Sequence, residues 1–161
     1  PPPHARWIIP RIRSIRESLL KGIVRILDDA MNNTSVILLF EVGGKSFLFP
    51  GDAQIENWEY TLKNKALMKR LAKVDFYKVG HHGSRNATPK SLWDNFTKRS
   101  KKKTPGRLMS VMSTKAGKYG HSEATKVPRA TLVQALENET DYFTTQDLKG
   151  KTIYKDFTFT F

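Results

Sequence analysis

Phe47-Leu48-Phe49-Pro50-Gly51-Asp52-Ala53 and, one helix-length later, Asp75-Phe76-Tyr77-Lys78-Val79-Gly80-His81-His82-Gly83-Ser84 are the stretches from which the fold is read. Each is a mostly apolar run that stops at a glycine, and each stop is followed by residues able to hold a cation. The first supplies the carboxylate of Asp52, the second the imidazoles of His81 and His82. Between them, Ile55, Tyr60, Leu62, Leu67, Met68 and Leu71 recur at helical spacing, which predicts one helix from Ile55 to Leu71. Strand, helix and strand in succession imply an α/β layered sheet, whose loops at the carboxyl ends of the strands share one rim. An acidic ligand and an imidazole ligand at consecutive strand ends are parts of a metal-dependent hydrolase site.

Working outward, Ser35 to Val42 and Lys45 to Phe49 flank Gly43-Gly44 and predict a hairpin. Upstream, Ile12, Ile15, Leu19, Ile23, Ile26 and Leu27 step by three and four residues, opposite Arg13, Arg16, Lys21 and Arg25, so Arg11 to Asp29 reads as an amphipathic helix. Its basic face suits a phosphate backbone or simply water. Residues 1–10 read as an extended lead-in, because Pro1-Pro2-Pro3 can neither enter a helix interior nor donate to a sheet. A chain that opens on proline instead of Met is expected to have been cut from a longer one. Downstream, Val74 to Val79 is the next strand, and Thr88 and Pro89 open a helix through Phe96. Lys98 to Lys103 is a basic loop, Leu108 to Met112 a strand, Gly117 to Glu123 a polar loop and Pro128 to Leu136 a helix. Tyr142 to Thr145 and Lys151 to Phe161 are read as closing strands.

The 161 residues suit one domain. Lys and Arg outnumber Asp and Glu by 28 to 15, a formal charge of +13 that favours polyanionic partners such as nucleic acid or phosphate esters. The chain has no cysteine, which excludes disulfides, thiolate metal sites and cysteine nucleophiles and leaves His, Asp, Glu or Asn to hold any metal. Its longest apolar run, Val36 to Phe40, is far short of the ~20 residues of a membrane span. A soluble, cytoplasmic chain is expected, or an extracytoplasmic one if it belongs to a DNA-uptake protein.

Each candidate residue has a plainer reading beside the functional one. A bare Gly-Asp is as readily a turn or a helix cap as a metal ligand. His81 and His82 are harder to assign to packing, since two adjacent histidines rarely both serve a core; one would bind metal while the other orients it, contacts substrate or points away. Ser84 and Arg85 suit an anionic oxygen. His121, in Lys118-Tyr119-Gly120-His121-Ser122, suits substrate contact or proton transfer, or is a solvated loop histidine.

Taken in order, Asn32-Asn33-Thr34-Ser35 with Val36-Ile37-Leu38-Leu39, Gly43-Gly44-Lys45, Phe47 to Ala53, Lys78 to Asn86 and Tyr119-Gly120-His121 resemble the second half of a metallo-β-lactamase-fold hydrolase. The likeness is to the hydrolase domain of ComEC-like DNA-uptake proteins and spans Asn32 to Thr145. It implies an αββα sandwich of which this chain is the C-terminal half, and two zinc ions per complete site, with manganese the alternative ion. Asp52 matches the aspartate that bridges the metals and His81 a late histidine ligand, with His121 a further catalytic position. His82 and Ser84 match rim positions that meet substrate, and Asn32 or Asn33 lies near the place where many members carry another histidine ligand; Asn32, Arg85 and Lys118 are expected substrate contacts, the last two through their charge. The family's His-x-His-x-Asp-His motif is absent from the chain, so the missing N-terminal half of the fold is an expected partner, and this fragment alone is not expected to be fully active. The expected function is hydrolysis of a phosphodiester or other phosphate ester, in DNA or RNA, by a metal-activated water. The alternative is a basic, non-catalytic nucleic-acid-binding module working through Lys98 to Lys103 and the helix Arg11 to Arg25.

Overall fold

A computed structural model describes residues 8–32, 34–115, 117 and 126–161, with the side chains of 8, 9, 25 and 28–32 outside that description. The chain divides into two compact units, Pro1–Thr34 and Ser35–Phe161.

The first unit is one helix, α1 (Ile8–Asn32). It begins inside the expected lead-in: Pro10 falls in the first turn, where its missing N–H would have had no helical acceptor. Ile12, Ile15, Leu19, Ile23, Ile26 and Leu27 are all exposed along it. No helix among the described residues is long and apolar enough to cross a membrane.

The second unit is a five-stranded sheet in the order β1 (Leu38–Val42), β2 (Lys45–Phe49), β3 (Phe76–Val79), β4 (Met109–Met112) and β5 (Asp141–Thr144). The first pair is antiparallel and the rest are parallel. Gly43 and Gly44 have φ of 55° and 74°, and a two-residue turn with φ positive at both positions matches the right-handed twist of a hairpin, so the predicted turn forms. The predicted first strand is shorter than Ser35 to Val42. The crossovers carry α2 (Ile55–Lys63) and α3 (Lys65–Leu71), then α4 (Lys90–Asn95), then α5 (Ala130–Glu139). The single predicted helix from Ile55 to Leu71 is thus two. Asn64 leaves the helical conformation (φ −91°, ψ 104°) and its side chain accepts from the amides of Ala66 and Leu67, so a polar residue ends one helix by capping the next.

Strands added always to the same side of a sheet by right-handed crossovers place every connecting helix on one face. The register agrees. Leu39, Leu48, Tyr77, Ser110 and Tyr142 form one row across all five strands, with Val79 and Met112 in the next. Against them pack Trp58, Leu62, Met68 and Leu71 of α2 and α3, Leu92 and Trp93 of α4, Phe96, and Leu132, Val133 and Leu136 of α5. Burial pushes the Tyr77 phenol up to about 12, and its hydroxyl lies 2.8 Å from Thr88 Oγ1. Truncating the fully buried Leu48 to alanine is expected to destabilise by about 3 kcal/mol, read from urea denaturation.

The opposite face is apolar too, with Phe40, Phe47, Phe49, Phe76, Val111 and Phe143, and α2 to α5 all pack on the other side of the sheet. The segment 151–161, predicted as a strand, pairs with none; instead it crosses this face as an aromatic strap. Phe157 sits on Phe143 and Phe76 (ring centroids 5.5 and 6.2 Å), and Phe159 on Phe76 and Phe47 (5.9 and 4.9 Å). The Phe161 ring covers Gly43, where a β-carbon would collide with it. Alternation of Phe157, Phe159 and Phe161 gave the strand prediction, but what holds the segment is ring packing across the strands. Leu38, Phe40 and Val42 at the hairpin end remain about half exposed (45, 53 and 55%).

At the amino-end rim of the sheet, Asp75 accepts from the Ser46 amide (3.0 Å) and pairs with Lys98 (2.6 Å) and Lys45 (3.6 Å). Burial pushes this carboxyl up, but Lys98, the Ser46 amide and Lys45 outweigh burial, and its pKa lies below the ordinary carboxylate value. A depressed folded-state pKa stabilises the fold above the unfolded value and is lost as pH falls through the folded one. Stability is therefore expected to be level above about pH 5 and to fall below about pH 4. Asp75→Asn should cost about 2 kcal/mol at pH 7 and flatten that acid slope in urea titrations across pH 3–7; an unchanged slope would remove Asp75 as its cause.

Candidate functional site

Two loops at the carboxyl ends of β2 and β3 meet. The His81 amide donates to the Gly51 carbonyl (3.2 Å), and a β-carbon at Gly80 would lie 2.8 Å from that same oxygen and 3.1 Å from Pro50 Cγ. Only glycine permits this approach, and it brings the segments bearing Asp52 and His81 together on one rim, as a ligand pair requires. Gly80→Ala is expected to force the loops apart and weaken metal binding by at least about tenfold, with a smaller effect on stability. Zinc titration beside thermal melting separates the two.

Asp52 is exposed, and among the described residues no hydrogen bond holds its carboxylate. The helix-cap reading is thereby set aside: the N-cap of α2 is Gln54, whose amide donates to the Asn57 side chain (3.1 Å). Lys78, one strand over, is the cation nearest in effect. Burial pulls its ammonium below the ordinary lysine value while the Asp52 charge pushes it back up, and Nζ donates to the Val79 carbonyl (3.2 Å). Sequence reading passed over Lys78, though a lone charge inside Phe76-Tyr77-Lys78-Val79 was the signal.

His81, His82 and Gly83 run consecutively at φ of 40°, 52° and 79°. Left-handed backbone at two non-glycine residues in a row is held only where surrounding structure enforces it, and such positions concentrate at functional sites. Three bonds do the enforcing: the His81 amide to Gly51, the Ser84 amide to the His81 carbonyl (2.9 Å), and the Arg129 amide to the Gly83 carbonyl (2.9 Å). His82 Nδ1–H donates to the Ser113 carbonyl (2.7 Å), just beyond β4, since a carbonyl only accepts. The two histidines thus divide: His82 ties its loop to β4, and His81 keeps a buried Nδ1 with no protein partner. Ser84 Oγ is likewise buried without a partner, and Arg85 is exposed and has no partner among the described residues.

His121, Lys118 and Asn33 lie outside the described residues, and Asn32 ends α1 with its side chain outside the description. Among the described residues no three His, Asp or Glu side chains gather closely enough to hold a metal. Asp52 and His81 are two donors of the kind zinc takes, one of them with an orphaned ring nitrogen, and they fit a metal as part of a ligand set. Of the basic run, Lys98 is turned inward to Asp75, so Lys101 to Lys103 remain as its exposed cations.

No protein-family model matches the chain, and no solved structure matches it. It is similar to Recombination protein 2 of Haemophilus influenzae (strain ATCC 51907 / DSM 11121 / KW20 / Rd), 33% identical over 67 residues. The matched part is 42% of this chain and 8% of that much longer protein.

Proposed function

We propose that this chain is the C-terminal half of a metallo-β-lactamase-like hydrolase that cleaves phosphodiester or other phosphate-ester bonds. The observation that carries the reading is the meeting of the two strand-end loops, which sets the Asp52 carboxylate and the strained His81 on one rim. The hairpin end of the sheet face opposite the helices, where Leu38, Phe40 and Val42 stay exposed beyond the strap, supports the sandwich, since an apolar surface of a second β-layer is what such residues pack against. The charge of +13 and the likeness to a protein named for recombination support a nucleic-acid substrate and the ComEC-like relationship.

Asp52 and His81 would hold metal in company with ligands from the N-terminal half, zinc first and manganese as the alternative. The metal supplies Lewis-acid activation of water and of the phosphoryl oxygens. The chain's own residues do the rest: His82, anchored on Ser113, fixes the loop that aims His81, while Arg85 and Ser84 meet phosphate oxygens of the substrate. His121 and Lys118 are assigned to the same rim by sequence. The non-catalytic binding reading loses Lys98 to the fold.

Zinc titration of the chain by calorimetry tests the ligand assignment. Weak binding is expected in the unmodified chain, with Asp52→Ala and His81→Ala each weakening it at least about tenfold. Equal zinc affinity in all three would sink the proposal.

A further inference from the structure

Beside the strained histidine loop lies a cleft of about 660 Å³, walled by the loop from Ser84 to Lys90, by α4 and by the first turns of α5. Three cations line it, Arg85, Lys90 and Arg129, and no carboxylate among the described residues does. Lys90 is tied at the surface to Asp94 (2.5 Å), whereas the Arg85 guanidinium has no partner among the described residues. Ser84 contributes the buried, unpartnered Oγ already noted. The other wall is apolar: Ile55, Leu132 and Trp93. Trp93 is held in place by the Arg99 guanidinium stacked 4.7 Å over its ring and by the edge of Phe96 (6.2 Å).

Arg85, which has no partner among the described residues, lines the cleft with Lys90 and Arg129, and a phosphate accepting from the Arg85 guanidinium answers this positive charge. A fixed aromatic and aliphatic wall alongside calls for a planar or apolar body attached to that phosphate. A cleft of this volume holds a ligand of nucleotide size. A free inorganic anion would leave the apolar wall unused, and a purely apolar ligand would leave the cations of the lining unanswered.

We propose that this cleft binds one nucleoside-phosphate unit of the substrate, on the chain side of the Asp52–His81 rim, so that the enzyme recognises a nucleotide strand and not an isolated phosphate ester. The proposal rests on the phosphodiesterase reading of that rim. It makes Ser84 and Arg85 binding residues for a neighbouring nucleotide instead of contacts to the bond being cleaved.

Thymidine 5′-monophosphate, thymidine and inorganic phosphate are titrated into the chain in EDTA, with tryptophan fluorescence and the indole NMR signals as readouts. EDTA removes metal, so the cleft is tested apart from the catalytic reading. The monophosphate is expected to perturb the Trp93 signal and to bind at least tenfold tighter than either thymidine or phosphate. Arg85→Gln, at an exposed and unpaired position, should weaken it about tenfold with an unchanged melting temperature; Trp93→Phe should remove the fluorescence response. Equal binding of thymidine and its monophosphate, no effect of Arg85→Gln, or binding that appears only when metal is restored overturns the proposal. Metal-free binding as expected, with no hydrolysis by the natural full-length polypeptide, would instead count against the hydrolase reading and leave the cleft assignment standing.

Discussion

Asp52→Ala is expected to lower phosphodiester hydrolysis by the natural full-length polypeptide by at least about 10³-fold while moving its melting temperature by no more than about 2 °C. The two halves of that expectation have separate grounds. Asp52 is exposed, has no hydrogen bond among the described residues and caps no helix, so its truncation opens no cavity, and Lys78, which its charge supports, keeps the Val79 carbonyl. As a metal ligand it would be irreplaceable by alanine, which offers the ion no donor atom. Hydrolysis of bis(p-nitrophenyl) phosphate with added manganese, read beside thermal melting, checks both. Retention of more than a tenth of the activity overturns the ligand role; a large drop in melting temperature would mean the residue is structural after all. His81→Gly should behave alike in activity but gain some stability, since at a φ of 40° a residue without a β-carbon carries none of the left-handed strain.

Removing residues 157–161 is expected to turn the isolated chain from a dispersed species into a self-associating one. Phe157 and Phe159 cover Phe47, Phe76 and Phe143, and Phe161 covers the β1–β2 turn, so the deletion uncovers the centre of an aromatic face. The lost burial and edge-to-face contacts of two half-buried rings amount to about 3 kcal/mol, or a drop of roughly 10 °C in melting temperature. An exposed apolar patch of this kind, beside the edge strand β1, is an association site. Sedimentation velocity and binding of an apolar dye measure the two effects, and Phe157→Ser with Phe159→Ser should reproduce both without shortening the chain. A truncated chain that stays dispersed and binds no more dye would show that the strap covers nothing of consequence.

The ring packing of the strap also explains why its prediction as a strand went wrong. Period-two alternation reports that every second residue faces an apolar surface, and a strap lying across strands satisfies that as well as a strand lying along them. The break at Asn64 escaped notice for a related reason: apolar spacing from Ile55 to Leu71 is continuous through it, and only the cap geometry shows that the helix restarts. By contrast β2, β3, β4, the hairpin and the ligand-bearing loops were legible, because glycine stops after apolar runs are local signals that packing does not override.

What the sequence determined by itself was the alternation of strands and helices, the Gly43-Gly44 turn, and the two loops where an acid and an imidazole follow a glycine. All of these depend on residues within a few positions of one another. Tertiary structure decided what depends on distant partners. The Gly51 carbonyl accepting from the His81 amide makes two loops one rim; the Ser113 carbonyl takes His82 and leaves His81 with an open nitrogen; Asp75 draws Lys98 out of the basic run. The cleft at Trp93 likewise exists only once Ser84, Arg85 and Arg129 have been brought together from either side of β4. One-dimensional spacing carries no information on such pairings, since each is set by which strand lies beside which.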